Sequence, residues 1–184
     1  MVKNYIVIVF AALICLSPSL HNSGNFVSKE STVSFVSKAN LEKITAKSGE
    51  LTGTLDIHKR TFAFSVPICS FQGFVNSKQK KHYCEKYVEG DKFPVAAFKG
   101  KIVDDADMSA SGVYNVRAKG MLLLHGIEKE TFVNSQVTVK DGHINIESKF
   151  TITLADYNMK LSKMNTLVIA KIVNVETKIT MAQE

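Results

Sequence analysis

Apolar and polar side chains trade places along much of this chain with a period of two. Over residues 51–68, Leu51, Gly53, Leu55 and Ile57 share one phase, His58, Lys59 and Arg60 interrupt it, and Phe62, Phe64, Val66 and Ile68 resume it. Successive side chains of a strand point to opposite faces, so this pattern predicts a hairpin with one apolar face. Later segments repeat the rule, and their charged residues mark the wet face. Lys99 and Lys101 oppose Ala96, Phe98, Gly100 and Ile102; Arg117 and Lys119 oppose Tyr114, Val116, Ala118, Gly120, Leu122 and Leu124. Asn145, Glu147 and Lys149 oppose Ile144, Ile146, Phe150, Ile152 and Leu154, and Asn174, Glu176 and Lys178 oppose Val173, Val175, Ile179 and Met181. Shorter strands are expected at 33–36, 44–47 and 133–139, giving eight or nine, and Asp141-Gly142 is a strong hairpin-turn signal. One stretch, about 77–87, breaks the period: Tyr83 and Tyr87 are four apart and Gly90 follows, which predicts a short amphipathic helix.

Many antiparallel strands with one dry face each fit either a two-sheet sandwich or a closed barrel. Several segments exceed about ten residues, and long strands tilt around a barrel more easily than they fit a sandwich. The expected fold is therefore all-β, an antiparallel barrel of about eight strands with one short helix. A small barrel either packs solid or encloses one ligand. Gly53, Ala96, Gly100, Ala118 and Gly120 among Phe62, Phe64, Phe98 and Phe150 would leave an elongated apolar cavity. Glycines that only mark bulges and tight corners would not.

Length and composition narrow the class. With 184 residues, 45% hydrophobic and 22% charged, the chain suits one folded domain and lacks the signature of disorder. Residues 1–19 stand apart: Lys3 precedes eleven almost wholly apolar residues, 6–16, and Ser17, Pro18 and Ser19 follow. Eleven residues rise only about 16 Å as a helix against a hydrocarbon core of ~30 Å. This predicts a signal peptide cleaved near Ser19, with a periplasmic or secreted product, rather than an anchor. Cys15 follows Ile14 and lacks the small preceding residue of a lipoprotein signal. Residues 20–31 then read as a polar N-terminal tail and 32–184 as the barrel domain. In the exported product, Cys69 and Cys84 could pair, closing a loop of roughly 15 residues worth about 3 kcal/mol. Spacing does not decide it, and with no multi-disulfide framework two partly buried free thiols are the favoured reading.

Catalytic chemistry finds no support in the motifs. G-x-S-x-G, H-E-x-x-H, C-x-x-C, G-x-G-x-x-G and the Gly-rich phosphate loop are absent. The expectation is a protein that is not an enzyme and uses no metal or cofactor. His82, Cys84 and Glu85 make a poor metal set on a helix, because residues two apart point to different sides. Asp104, Asp105 and Asp107 lack the Gly and Glu spacing of a calcium loop and read as a solvated turn. The net charge of +6 includes Lys78, Lys80 and Lys81, which give the predicted helix a basic face: a solvated surface, or a contact for an anionic membrane surface. No aromatic and basic platform for nucleic acid is present.

Three stretches also carry a resemblance. Phe74-Val75-Asn76 through His82-Tyr83-Cys84-Glu85-Lys86-Tyr87, then Asp91-Lys92-Phe93-Pro94-Val95-Ala96-Ala97-Phe98-Lys99-Gly100-Lys101-Ile102, resembles the helix-to-strand signature of the YceI-like family of exported polyisoprenoid-binding proteins. The run from Lys119-Gly120 through Leu124-His125-Gly126-Ile127-Glu128-Lys129 resembles its G-x-L-x-x-x-G-V-T-K hairpin. Phe150-Thr151-Ile152 with Asp156-Tyr157-Asn158 resembles its F-x-V segment and D-Y-x-I turn. Glu128 stands where the family usually has Thr, and Lys78 and Gln79 replace apolar residues near the helix start. The resemblance spans about residues 32–181 and implies a lipocalin-like barrel whose apolar tunnel holds a long isoprenoid or similar amphiphilic lipid, without catalytic residues. Face assignment then puts Phe35, Leu55, Phe62, Phe64, Phe98, Leu122, Phe150 and Ile152 on the tunnel wall, with Tyr83 and Tyr87 on the helix near one end. Two other classes compete: a solid-core barrel acting as a protein or membrane-surface interaction module, and an enzyme on a lipid substrate, for which no base and nucleophile pair is visible.

Overall fold

The computed structural model describes residues 24–184 except 160 and 164; the expected signal peptide lies outside the described residues. Nine strands follow one another: β1 Asn25–Lys38, β2 Lys43–Ser48, β3 Thr52–Asp56, β4 Thr61–Pro67, β5 Val95–Ile102, β6 Gly112–Leu124, β7 Ile127–Lys140, β8 His143–Thr153 and β9 Ile172–Gln183. All pairings are antiparallel. β2 lies along the second half of β1 and β3 along its first residues, so the two occupy one bent position in the sheet. β1 also pairs with β9 over nearly its whole length, which closes eight positions into a barrel.

β1 begins at Asn25, so residues 25–31, expected in a polar tail, are barrel wall. The alternation is hidden there because the register shifts between Ser28 and Glu30 and because Ser31 occupies a buried, inward position. The remaining strands follow the predicted phase. Asp141 and Gly142 have φ values of 50° and 74°, the left-handed pair of a two-residue hairpin turn that matches strand twist.

The connections sort to two ends. Residues 39–42, 68–94, the turn at His125-Gly126 and residues 154–171 lie at one end; residues 57–60, 103–111, the turn at Asp141-Gly142 and both barrel termini lie at the other. The second end is plugged. Phe26, Ile144 and Met181 from the strands and Met108 from the 103–111 connection are all buried there. Its acidic cluster has structural employment: Asp104 accepts from the Arg117 backbone N–H, Asp105 pairs with Arg60 at 2.7 Å, and Asp107 accepts from Ser109.

Candidate binding cavity

The barrel is not packed solid. A cavity of about 250 Å³ runs from the end that carries residues 68–94 and 154–171, the lid end, down to Leu55, Ile102, Val116 and Val137, and stops short of the plug. All ten side chains expected on its wall line it: Phe35, Leu55, Phe62, Phe64, Tyr83, Tyr87, Phe98, Leu122, Phe150 and Ile152. Eight come together because each occupies the inward phase of its strand; Tyr83 and Tyr87 reach the cavity from the helical segment between β4 and β5. Phe62, Phe64 and Phe98 form one aromatic group, with the Phe62 and Phe98 rings 4.9 Å apart.

The small residues act differently from the sequence expectation. Ala96 and Ala118 line the cavity, but the glycines do not. Gly100 and Gly120 face each other across β5 and β6, and a Cβ at Gly120 would lie 2.3 Å from the Lys99 carbonyl oxygen. They let two backbones approach, the corner role, and add no tunnel volume. Gly53 is covered by the Phe64 ring.

The lid is built from the one segment without strand periodicity. Helix α1, Ser77–His82, starts at Asn76, whose side chain accepts from the Gln79 backbone N–H, and continues as a wider π turn over Tyr83–Tyr87. The wide turn places Tyr83 inward against Phe35, Phe71 and Phe74, at ring separations of 5.6, 6.0 and 5.0 Å. Burial disfavours the phenolate, so the Tyr83 pKa is pushed above its ordinary range and its ring acts as neutral wall. Cys84, beside it, is bonded to Cys69 just after β4. The free-thiol reading is thus overturned: the 3-10 turn at Ile68–Ser70 and the π turn bring together two cysteines 15 residues apart, a juxtaposition that spacing does not reveal. On the other side of the lid, His125 donates from Nδ1 to the Tyr157 carbonyl at 3.0 Å, and its ring packs on Phe93.

Two parts of the site escape the alternation argument. Beyond Leu154, which continues the β8 phase, the 154–171 connection supplies Met159 and Ile169 to the wall and is tied to β1 where Ala170 N–H donates to Ser37 Oγ at 2.9 Å. It has no period to read. The second part is a row of hydroxyls within the apolar wall: Ser135 lies opposite Ser148, and Ser148 opposite Thr177. The two serine oxygens are 2.7 Å apart, and all three residues line the cavity. Ser148 sits in the inward phase between Ile146 and Phe150, which is the signal that finds it.

Sequence comparison decides the family, because a YceI-like domain model matches residues 25–181. The chain belongs to the YceI-like family. No curated protein matches it. Solved structures of similar fold include a polyisoprenoid binding domain from Saccharophagus degradans, 17% identical with a TM-score of 0.74, which covers 86% of this chain and 98% of its own. BcnA of Burkholderia cenocepacia is 18% identical with a TM-score of 0.67, covering 82% and 95%. The Campylobacter jejuni YCEI protein is 13% identical with a TM-score of 0.55, covering 100% and 99%. At these identities the likeness is one of fold.

Proposed function

We propose that this protein binds a long-chain isoprenoid or similar amphiphilic lipid in the barrel cavity, without catalysis, and carries or stores it outside the cytoplasm. The observation that carries the reading is the cavity itself: nearly every wall group is aliphatic or aromatic, and the exceptions are the hydroxyl row, Ser37, Ser65 and Gln79 at the lid. Hiding a hydrocarbon tail from water contributes about 0.8 kcal/mol per CH₂, so a long chain is held without many polar contacts. A few polar groups then suffice to place a head group or a lone oxygen. The polyisoprenoid binding domain of similar fold supports the ligand class, and the apolar leader at residues 1–19 supports export. Among the described residues no group of three or more His, Cys, Asp or Glu could hold a metal ion.

The test is organic extraction and native mass spectrometry of protein purified from its own host. A co-purifying lipid of defined mass, in about one copy per chain, is the expected result. Protein with no extractable lipid, and no uptake of isoprenoid from detergent, would return the barrel to the interaction-module reading.

A further inference from the structure

Three exposed large apolar side chains gather at the lid end. Leu41 is 73% exposed, Val75 81% and Leu167 43%, and each belongs to a different connection. A chain of hydrogen bonds fixes them as one patch. Leu41 N–H donates to the Leu167 carbonyl at 2.9 Å; the neighbouring Glu42 accepts from Gln79 Nε2; and Gln79 Oε1 accepts from Val75 N–H at 2.8 Å. Gln79 also lines the cavity, so the patch adjoins the cavity's lid end.

The same end carries cations without partners. Lys38 and Lys43 stand directly opposite each other at the end of the β1–β2 ladder, an arrangement that like charges disfavour. Neither has a carboxylate within ion-pair distance among the described residues, nor do Lys78, Lys163 and Lys171. The plugged end differs: its aspartates pair with Arg60, Arg117 and Lys59. Its exposed Val103 and Val113 stand near Asp104, Asp105 and Asp107.

We propose that the lid end docks on an anionic lipid bilayer: Leu41, Val75 and Leu167 enter the acyl boundary, and the unpaired lysines meet lipid phosphates. The inference rests on the reading that the cavity holds a lipid, because it places the cavity's lid end against the phase from which a lipid enters. Apolar side chains ringed by lysine are the combination that binds such interfaces, and each lysine near an anionic surface strengthens binding about fivefold.

The test uses the chain from Leu20 onward, which retains every strand and lacks the apolar leader that would bind vesicles by itself. Vesicles of phosphatidylcholine with and without phosphatidylglycerol are the probes. Sedimentation should show the protein on the anionic vesicles and at least about tenfold less on neutral ones, with Lys78→Glu/Lys163→Glu losing a similar factor. The chain has no tryptophan, so Leu41→Trp is a clean reporter. Its emission should shift to the blue on anionic vesicles, and that of Val113→Trp at the plugged end should not. Equal binding to both vesicle types, no binding, or a shift at position 113 would overturn the docking, and so would binding only to an acidic protein or a second copy. Extractable lipid is assayed on the same samples. Its absence with vesicle binding intact counts against the cavity reading and leaves the docking standing; its presence with no vesicle binding does the reverse.

Discussion

The two ends of this barrel solve the same problem in opposite ways. At the plugged end, strand side chains finish the closure: Ile144 and Met181 face each other in register, both at 0% exposure, and Met108 folds in from the connection. Aspartates then tie the turns outside. At the lid end the strands stop short, and closure is delegated to α1, its π turn and the 154–171 connection, held by a disulfide, one helix cap and a few hydrogen bonds. Core continuity makes the first end part of the global fold. The second is an attached cover, and segments with few strand hydrogen bonds open locally at lower cost than the core.

The sharpest way to break that contrast is to charge the plug. Met181→Asp buries a carboxylate without a partner, which should abolish folding or cost several kcal/mol, read as a collapse of the thermal melt. If Met181→Asp melts like the parent, the plug is not core. Next, Cys69→Ser should cost about 3 kcal/mol or less in the chain-entropy model. Its hydrogen exchange should rise over residues 68–94 while β8 and β9 stay protected; uniform loss of protection would mean that the lid is as integral as the plug. Between the ends, Gly120→Ala should cost about 1–3 kcal/mol, since the new methyl meets the Lys99 carbonyl. A milder loss is expected for Gly112→Ala, whose added atom meets only the Tyr114 ring at 3.2 Å. Equal melting temperatures would show that the β5–β6 approach is not tight.

The smallest effect concerns acid. Asp56 accepts from the Lys59 and His58 backbone N–H groups, and Asp107 from Ser109; both carboxyls are held below the ordinary 3.8. Because the folded-state pKa is lowered, their stabilisation is present above that value and fades as pH falls through it. As pH falls below the ordinary 3.8, the protection of amides against exchange, taken relative to the intrinsic rate at each pH, should therefore fall at residues 57–60 and 107–109 in the parent, and less at 57–60 in Asp56→Asn. A lid that loosens before these turns on acidification would reverse the expected order.

Legibility in the sequence divided along the same line. The wall was readable because it is periodic: Phe62, Phe64 and Phe98 announce their face by their neighbours. β1 was only half readable, since a register shift near Ser28 and an inward Ser31 erase the alternation. The cover was readable only as a helix. Met159 and Ile169 sit in irregular backbone, where no period relates a residue to the face it presents, and the bond between Cys69 and Cys84 depends on where two short helical turns bring the chain. The glycines misled for a related reason: a missing side chain reads as space, whereas at Gly100 and Gly120 the neighbouring backbone fills it.

The pairing of β1 with β9 sets the order in which the molecule can be made. Phe35 meets Val175 in that ladder, so the seam joins the first strand to the last, and the wall has a gap until the whole chain is available. Such long-range pairing is slow, because chain entropy must be lost before the contacts repay it. While the gap persists, the edges of β1 and β9 are open to other strands. Hairpins β6–β7 and β7–β8, each joined by a two-residue turn, can form early, but closure of the barrel is the last thing this chain acquires. Closure is therefore separated in time from the start of synthesis, and a nascent chain still short of its final strand has no complete cavity wall.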